Sequence, residues 1–98
     1  MATRTLHFAS PRILSLLYAS RPQNLERIEA VLKVKLTSRD NWLEVEGTEE
    51  AIVQTEKLFE FLNKAREQGM NLADADVEHI LMQVAAGHIE TLEELFTD

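Results

Sequence analysis

The run Val34-Lys35-Leu36-Thr37-Ser38-Arg39-Asp40-Asn41-Trp42-Leu43-Glu44-Val45-Glu46-Gly47 decides the fold. Apolar and polar residues alternate from Val34 to Arg39 and again from Trp42 to Glu46, the period-two signature of strands with one buried face. Asp40 and Asn41 lie between the two runs, and both residue types tolerate left-handed backbone. A two-residue turn there joins the runs into a β-hairpin, which Gly47 ends.

Upstream of the hairpin, Pro22 can open a helix at its first position, with Leu25, Ile28 and Leu32 as the buried stripe. Gln23, Asn24, Glu26 and Arg27 then face elsewhere. Before it, Ser10-Pro11 is a strong helix start, with Ser as N-cap and Pro at the first helical position. Ile13, Leu14, Leu16 and Leu17 make that helix short, because Pro22 disfavours helix at Arg21. Thr5-Leu6-His7-Phe8 alternates and predicts a first strand.

Downstream, Thr48 caps a long helix whose first turn carries Glu49 and Glu50, where the helix dipole favours anions. Ile52, Thr55, Phe59 and Leu62 recur at helical spacing, reinforced by Leu58 and Ala65. Lys64 and Arg66 lie in its last turns, and Gly69 follows as a C-terminal cap. A further helix runs from about Asp74 through Val77, Ile80, Leu81 and Val84 to near Gly87. Ile89, Leu92, Leu95 and Phe96 make the tail amphipathic. The order is β-α-α-β-β-α plus one helix, which predicts a two-layer α+β domain with a three-stranded sheet covered on one face. That order is also the order of a type I KH domain, in which a GXXG loop between the first two helices clamps a nucleic-acid backbone.

Composition bounds the chemistry. Ninety-eight residues allow one domain with a modest core. The chain has no cysteine, so disulfides, Cys-based zinc sites and thiol chemistry are excluded. No apolar run approaches the roughly 20 residues of a membrane span, and no secretory signal follows the initial Met. The expected location is cytoplasmic. The net charge of −7 looks wrong for a nucleic-acid binder, but it is unevenly spread. Residues 1–42 carry a net +4 and residues 43–98 a net −11. The half that holds the first two helices and the start of the hairpin is therefore basic.

Several short pieces together resemble the N-terminal domain of the PhoH-like, phosphate-starvation-inducible proteins. They are Leu17-Tyr18-Ala19, then Asn24-Leu25-x-x-Ile28-Glu29, Val34 through Arg39-Asp40-Asn41, Val45-Glu46-Gly47, and Asp76-Val77. The family runs Leu-Phe-Gly, Asn-Leu-x-x-Ile-Glu, a hairpin turning at Arg-Gly-Asn, and a later helix opening with Asp-Val. The match spans roughly residues 5 to 87. The resemblance implies a KH-like domain, residues 1–87, with residues 88–98 as an amphipathic tail or the start of a linker to a P-loop ATPase domain. ATP and Mg would belong to that absent domain, because this chain has no Walker loop; its glycines stand at 47, 69 and 87. Partners implied are single-stranded RNA, the ATPase domain, and in some bacteria an endoribonuclease.

Two departures from the family bear on function. Tyr18-Ala19 replaces Phe-Gly and Asp40 replaces the turn glycine, while Ala19-Ser20-Arg21-Pro22 stands without a glycine where a KH fold has GXXG. Close backbone approach to phosphates is hindered there, and Pro22 removes a donor. RNA contacts then fall to side chains: Arg21, Gln23, Asn24 and Arg27, with Arg39 on the hairpin, and the helix N-terminus behind them. Arg12, Lys33 and Lys35 extend the basic set. Trp42 could stack on a base, although a half-buried hairpin position explains it as well.

No nucleophile–base pair stands out, so no catalytic residue is assigned, and the chain is expected to be non-enzymatic by itself. His7, His79 and His88 are too dispersed for a metal site, and Asp74 and Asp76 fit helix capping and the dipole. Neither a cofactor site nor a metal site is assigned. From a different class comes the alternative of a degenerate KH fold acting as a protein-interaction or oligomerisation module. It would use the acidic helix face of Glu49, Glu56, Glu60 and Glu67, or the tail.

Overall fold

The computed structural model describes residues 1–88 and Glu94. The stripe read at Ile89, Leu92, Leu95 and Phe96 lies outside the described residues. Seven elements follow in order: β1 (Ala2–His7), α1 (Pro11–Leu17), α2 (Pro22–Leu32), β2 (Lys35–Arg39), β3 (Trp42–Gly47), α3 (Glu49–Glu67) and α4 (Asp74–Ala85). The expected α+β architecture is present. One antiparallel sheet of order β1-β3-β2 forms one layer, and helices lie against it.

The hairpin forms where the alternation placed it, with Asp40 at φ 47° in the turn. Leu36 pairs with Val45 and Arg39 with Trp42. On the other side of β3, Leu6 pairs with Leu43 and His7 with Trp42. Leu43 and Val45 are fully buried under the helices, while Trp42, Glu44 and Glu46 are half-exposed on the opposite face. β1 begins three residues earlier than the sequence suggests. Ala2-Thr3-Arg4 has too little apolar content to announce a strand, and only the pairing of Ala2 with Gly47 extends it.

Beyond the strand, Phe8 N–H donates to the Asn41 carbonyl at 2.8 Å, and Asn41 Nδ2 donates to the Phe8 carbonyl at 2.9 Å. The first strand is thereby tied to the hairpin turn.

The helix starts use the chemistry their residues offer. Ser10 Oγ accepts from Ile13 N–H at 3.2 Å, and Thr48 Oγ1 accepts from Ala51 N–H at 3.1 Å. Pro11 and Pro22 both occupy first-turn positions, where no N–H is required. All four helices α1 to α4 close alike: the chain turns left-handed and the following N–H reaches back five residues, at α2 with Lys33 (φ 58°) and Val34 N–H on the Glu29 carbonyl. α3 uses Gly69 (φ 92°), with Met70 N–H on the Ala65 carbonyl, and α4 uses Gly87 (φ 81°), with His88 N–H on the Gln83 carbonyl. α1 does the same with Ala19 (φ 58°), and Ser20 N–H reaches the Ser15 carbonyl at 2.9 Å.

The core joins both layers. Leu14, Leu17, Ile28, Leu43, Val45, Leu58, Phe59, Phe61 and Leu62 are at most 2% exposed. The Phe8 ring meets Phe59 edge-on at 6.0 Å. α4 belongs to the same cluster through Val77, Ile80, Leu81 and Val84. Burial of each such side chain stabilises the domain by about 1.5–3 kcal/mol, so the extra helix is an integral part of the fold. Among the described residues no helix is long and apolar enough to cross a membrane.

Candidate nucleic-acid interface

At the corner between α1 and α2 the backbone donors from Tyr18 to Arg21 are already used. Tyr18 N–H donates to Ser15 O, Ala19 N–H to Leu16 O, and Arg21 N–H to Tyr18 O. Ser20 N–H and its Oγ both turn back to Ser15, the latter at 3.1 Å. Pro22 has no N–H, and Asn24 N–H donates to Arg21 O at 2.9 Å. A phosphate arriving here meets side chains rather than a cradle of backbone amides. The left-handed residues Ala19 and Ser20 make the sharp turn without glycine, at a cost on the order of 1 kcal/mol each.

Asn24 corrects the sequence reading. It was expected to face away from the core with its neighbours, yet it is 3% exposed. Its Nδ2 donates to the Tyr18 carbonyl and to Asp74 Oδ1, both at 3.0 Å. The amide fixes the corner to the first turn of α4 and is not offered to a ligand. The face of α2 that carries it is covered by α4, which lies fifty residues later in the chain. Leu25, expected in the buried stripe, is only half-buried as a result.

Arg21 and Arg27 are exposed but engaged. Arg21 Nη1 lies 2.5 Å from Asp74 Oδ2, and Arg27 Nη1 lies 3.3 Å from Glu78 Oε2. Asp74 and Glu78 are four residues apart on α4, so one face of one helix meets both guanidinium groups. The hydrogen bond from Asn24, followed by that from Arg21, holds the Asp74 carboxyl below the usual aspartate range. Asp76 caps its own helix, accepting from Ala73 N–H at 3.0 Å. Gln23 is exposed, one turn before Arg27 on the same face of α2.

Arg39 does not join this group. Its register partner is Trp42, whose partner on the other side is His7. Arg39, Trp42 and His7 therefore form one cross-strand row on the sheet face opposite Leu43 and Val45. The hairpin register alone puts Arg39 beside Trp42, whereas His7 joins the row because β3 is the central strand. Arg12, Lys33, Lys35 and Arg39 have no ion-pair partner among the described residues.

Glu29 also serves the fold. Glu29 Oε2 accepts from Leu36 N–H at 2.9 Å, joining α2 to the edge strand β2. Among the described residues, no group of three or more His, Cys, Asp or Glu side chains is arranged to hold a metal ion.

No family model, curated protein or solved structure matches the chain.

Proposed function

We propose that this chain is a KH-like accessory domain of a PhoH-like ATPase, and that it helps to engage or position RNA for the ATPase domain. On this reading it performs no chemistry of its own, and ATP and Mg belong to the other domain. The observation that carries the proposal is the exposed start of α2. Arg21 and Arg27 offer guanidinium donors there and Gln23 an exposed amide, no acidic residue of α2 lies in its first turn, and the corner joins the first two helices, where a KH fold would carry its clamp. The strand order and the helix pair before the hairpin agree with that placement.

With the backbone donors from Tyr18 to Arg21 satisfied internally, binding rests mainly on guanidinium–phosphate contacts and is weak and salt-sensitive. The test is a titration with short single-stranded RNA at low and moderate salt, repeated with Arg21→Glu/Arg27→Glu. Salt-dependent binding that the double variant abolishes supports the proposal. Equal binding by both proteins, or none at high micromolar concentration, rejects it.

One observation favours a second reading, that of a protein-interaction module. Between the edge strand β1 and α3 lies an open cleft of about 340 Å³, lined by Leu6, Phe8, Phe59, Glu56 and Glu60 among others. An added strand from a partner could pair along the edge of β1 above that apolar floor. Light scattering across a concentration series and binding to the separate ATPase domain test it. A strict monomer that ignores that domain argues against this role.

A further inference from the structure

We infer that α4 is a built-in competitor for RNA, with Asp74 and Glu78 standing where two backbone phosphates would sit. This rests on the RNA reading above and adds what limits it. Three polar contacts join the candidate interface to α4: Arg21 to Asp74, Asn24 to Asp74, and Arg27 to Glu78. Each of the two candidate arginines, Arg21 just before α2 and Arg27 on it, is answered by a carboxylate of α4. One helical turn separates the carboxylates, a rise of about 6 Å, so they form a short regular row of negative charges like that of a nucleic-acid strand.

The competitor is fixed in place. Val77, Ile80, Leu81 and Val84 are buried beneath it, so α4 cannot lift away without opening the core. Asn24 further anchors Asp74 from a buried position. Exchange therefore happens at the side chains. Both ion pairs are exposed, and such pairs are individually weak, so a phosphate can take over a guanidinium. Once it has done so, the displaced carboxylates remain within a Debye length, about 8–10 Å, and repel it. The domain then releases RNA readily and discriminates against weakly held strands.

The experiment compares four versions of the full 98-residue chain, binding one short mixed-sequence single-stranded oligoribonucleotide across a salt series. They are the wild type, Asp74→Asn/Glu78→Gln, Arg21→Glu/Arg27→Glu, and Glu49→Gln/Glu50→Gln. The Asn at 74 keeps an acceptor for the Asn24 amide, and a Glu78→Gln single variant covers the event that the double variant does not fold. The Glu49/Glu50 variant makes the same change in net charge at the opposite end of α2 from Arg21, where Glu50 lies beside Leu32 and Lys33.

Asp74→Asn/Glu78→Gln is expected to bind more tightly than wild type, with a log–log salt slope steeper by about 1.4, or about 0.7 for Glu78→Gln alone. Glu49→Gln/Glu50→Gln leaves the slope near that of wild type. An equal gain from the Glu49/Glu50 variant overturns the inference, since net charge alone then explains the effect. If wild type binds through Arg21 and Arg27 while a folded Asp74/Glu78 variant binds no better, masking is wrong and the RNA reading stands. If no version binds, both are rejected.

Discussion

Asn24 and Asp74, fifty positions apart, are joined by a 3.0 Å hydrogen bond from a buried amide to a carboxylate at the start of α4. The same amide nitrogen holds the Tyr18 carbonyl, so one side chain fastens the α1–α2 corner to the extra helix. Asn24→Ala removes both bonds and leaves the half-buried Tyr18 carbonyl with Arg21 N–H alone. The expected loss is about 1–3 kcal/mol. In a domain of this size each kcal/mol lowers the melting temperature by about 4–8 °C. Thermal unfolding followed by circular dichroism checks it, and a melting point unchanged from wild type would show that the bond is incidental.

The Asp74 carboxyl titrates below its ordinary value because the Asn24 amide and the Arg21 guanidinium favour its charged form. Its contribution is fully present above the unfolded-state value of about 3.9. It is lost as pH falls through the depressed folded-state value. The melting-temperature gap between wild type and Asp74→Asn should therefore be constant near neutrality and shrink from about pH 5 downward. A gap that widens on acidification would contradict the assignment.

Ala19 closes α1 in the left-handed conformation that Gly69 and Gly87 supply at the ends of α3 and α4. Ala19→Gly relieves the Cβ strain, offset in part by the greater freedom of glycine in the unfolded chain. A net gain of about 0.5–1 kcal/mol is expected in urea unfolding. Ala19→Val should destabilise, because a branched Cβ tolerates positive φ poorly. The pair of variants with opposite signs is the check.

Gly47 ends β3 against the turn that follows α2. A Cβ at this position would stand 3.0 Å from Val34 Cγ1 and 3.5 Å from the Lys33 carbonyl. Gly47→Ala forces Val34, a core residue, to move, and a cost of about 1–3 kcal/mol is expected from overcrowding. Shortening the neighbour as well, in Gly47→Ala/Val34→Ala, should cost less than the separate effects combined. Additive losses in denaturant unfolding would show that the two positions do not meet.

What was legible in the sequence was local. Ser10-Pro11, Pro22 and Thr48 carry their capping chemistry within a few residues, and the hairpin carries its own turn, so those elements could be read directly. The strand start at Ala2 could not, because an edge strand of Thr and Arg acquires its identity from the partner it pairs with. Asn24 was misplaced for a related reason. A polar residue beside Leu25 and Ile28 belongs on the outer face of α2 unless something covers it, and the covering helix comes fifty residues later. The charges suffered the same way: splitting the chain isolated a basic half, but the fold returns Asp74 and Glu78 from the acidic half to Arg21 and Arg27. Arg39, counted with them by charge, is separated from them by the register of the sheet.

The central claim, that RNA is engaged at the exposed start of α2, is tested most directly by residue-resolved NMR titration with single-stranded RNA at low salt. The account predicts shifts concentrated at Arg21, Gln23 and Arg27, extending to Asp74 and Glu78 as the ion pairs exchange, and reversed by added salt. Shifts confined to Leu6, Phe8 and Phe59 along the β1–α3 cleft, or no shifts at all, would contradict it.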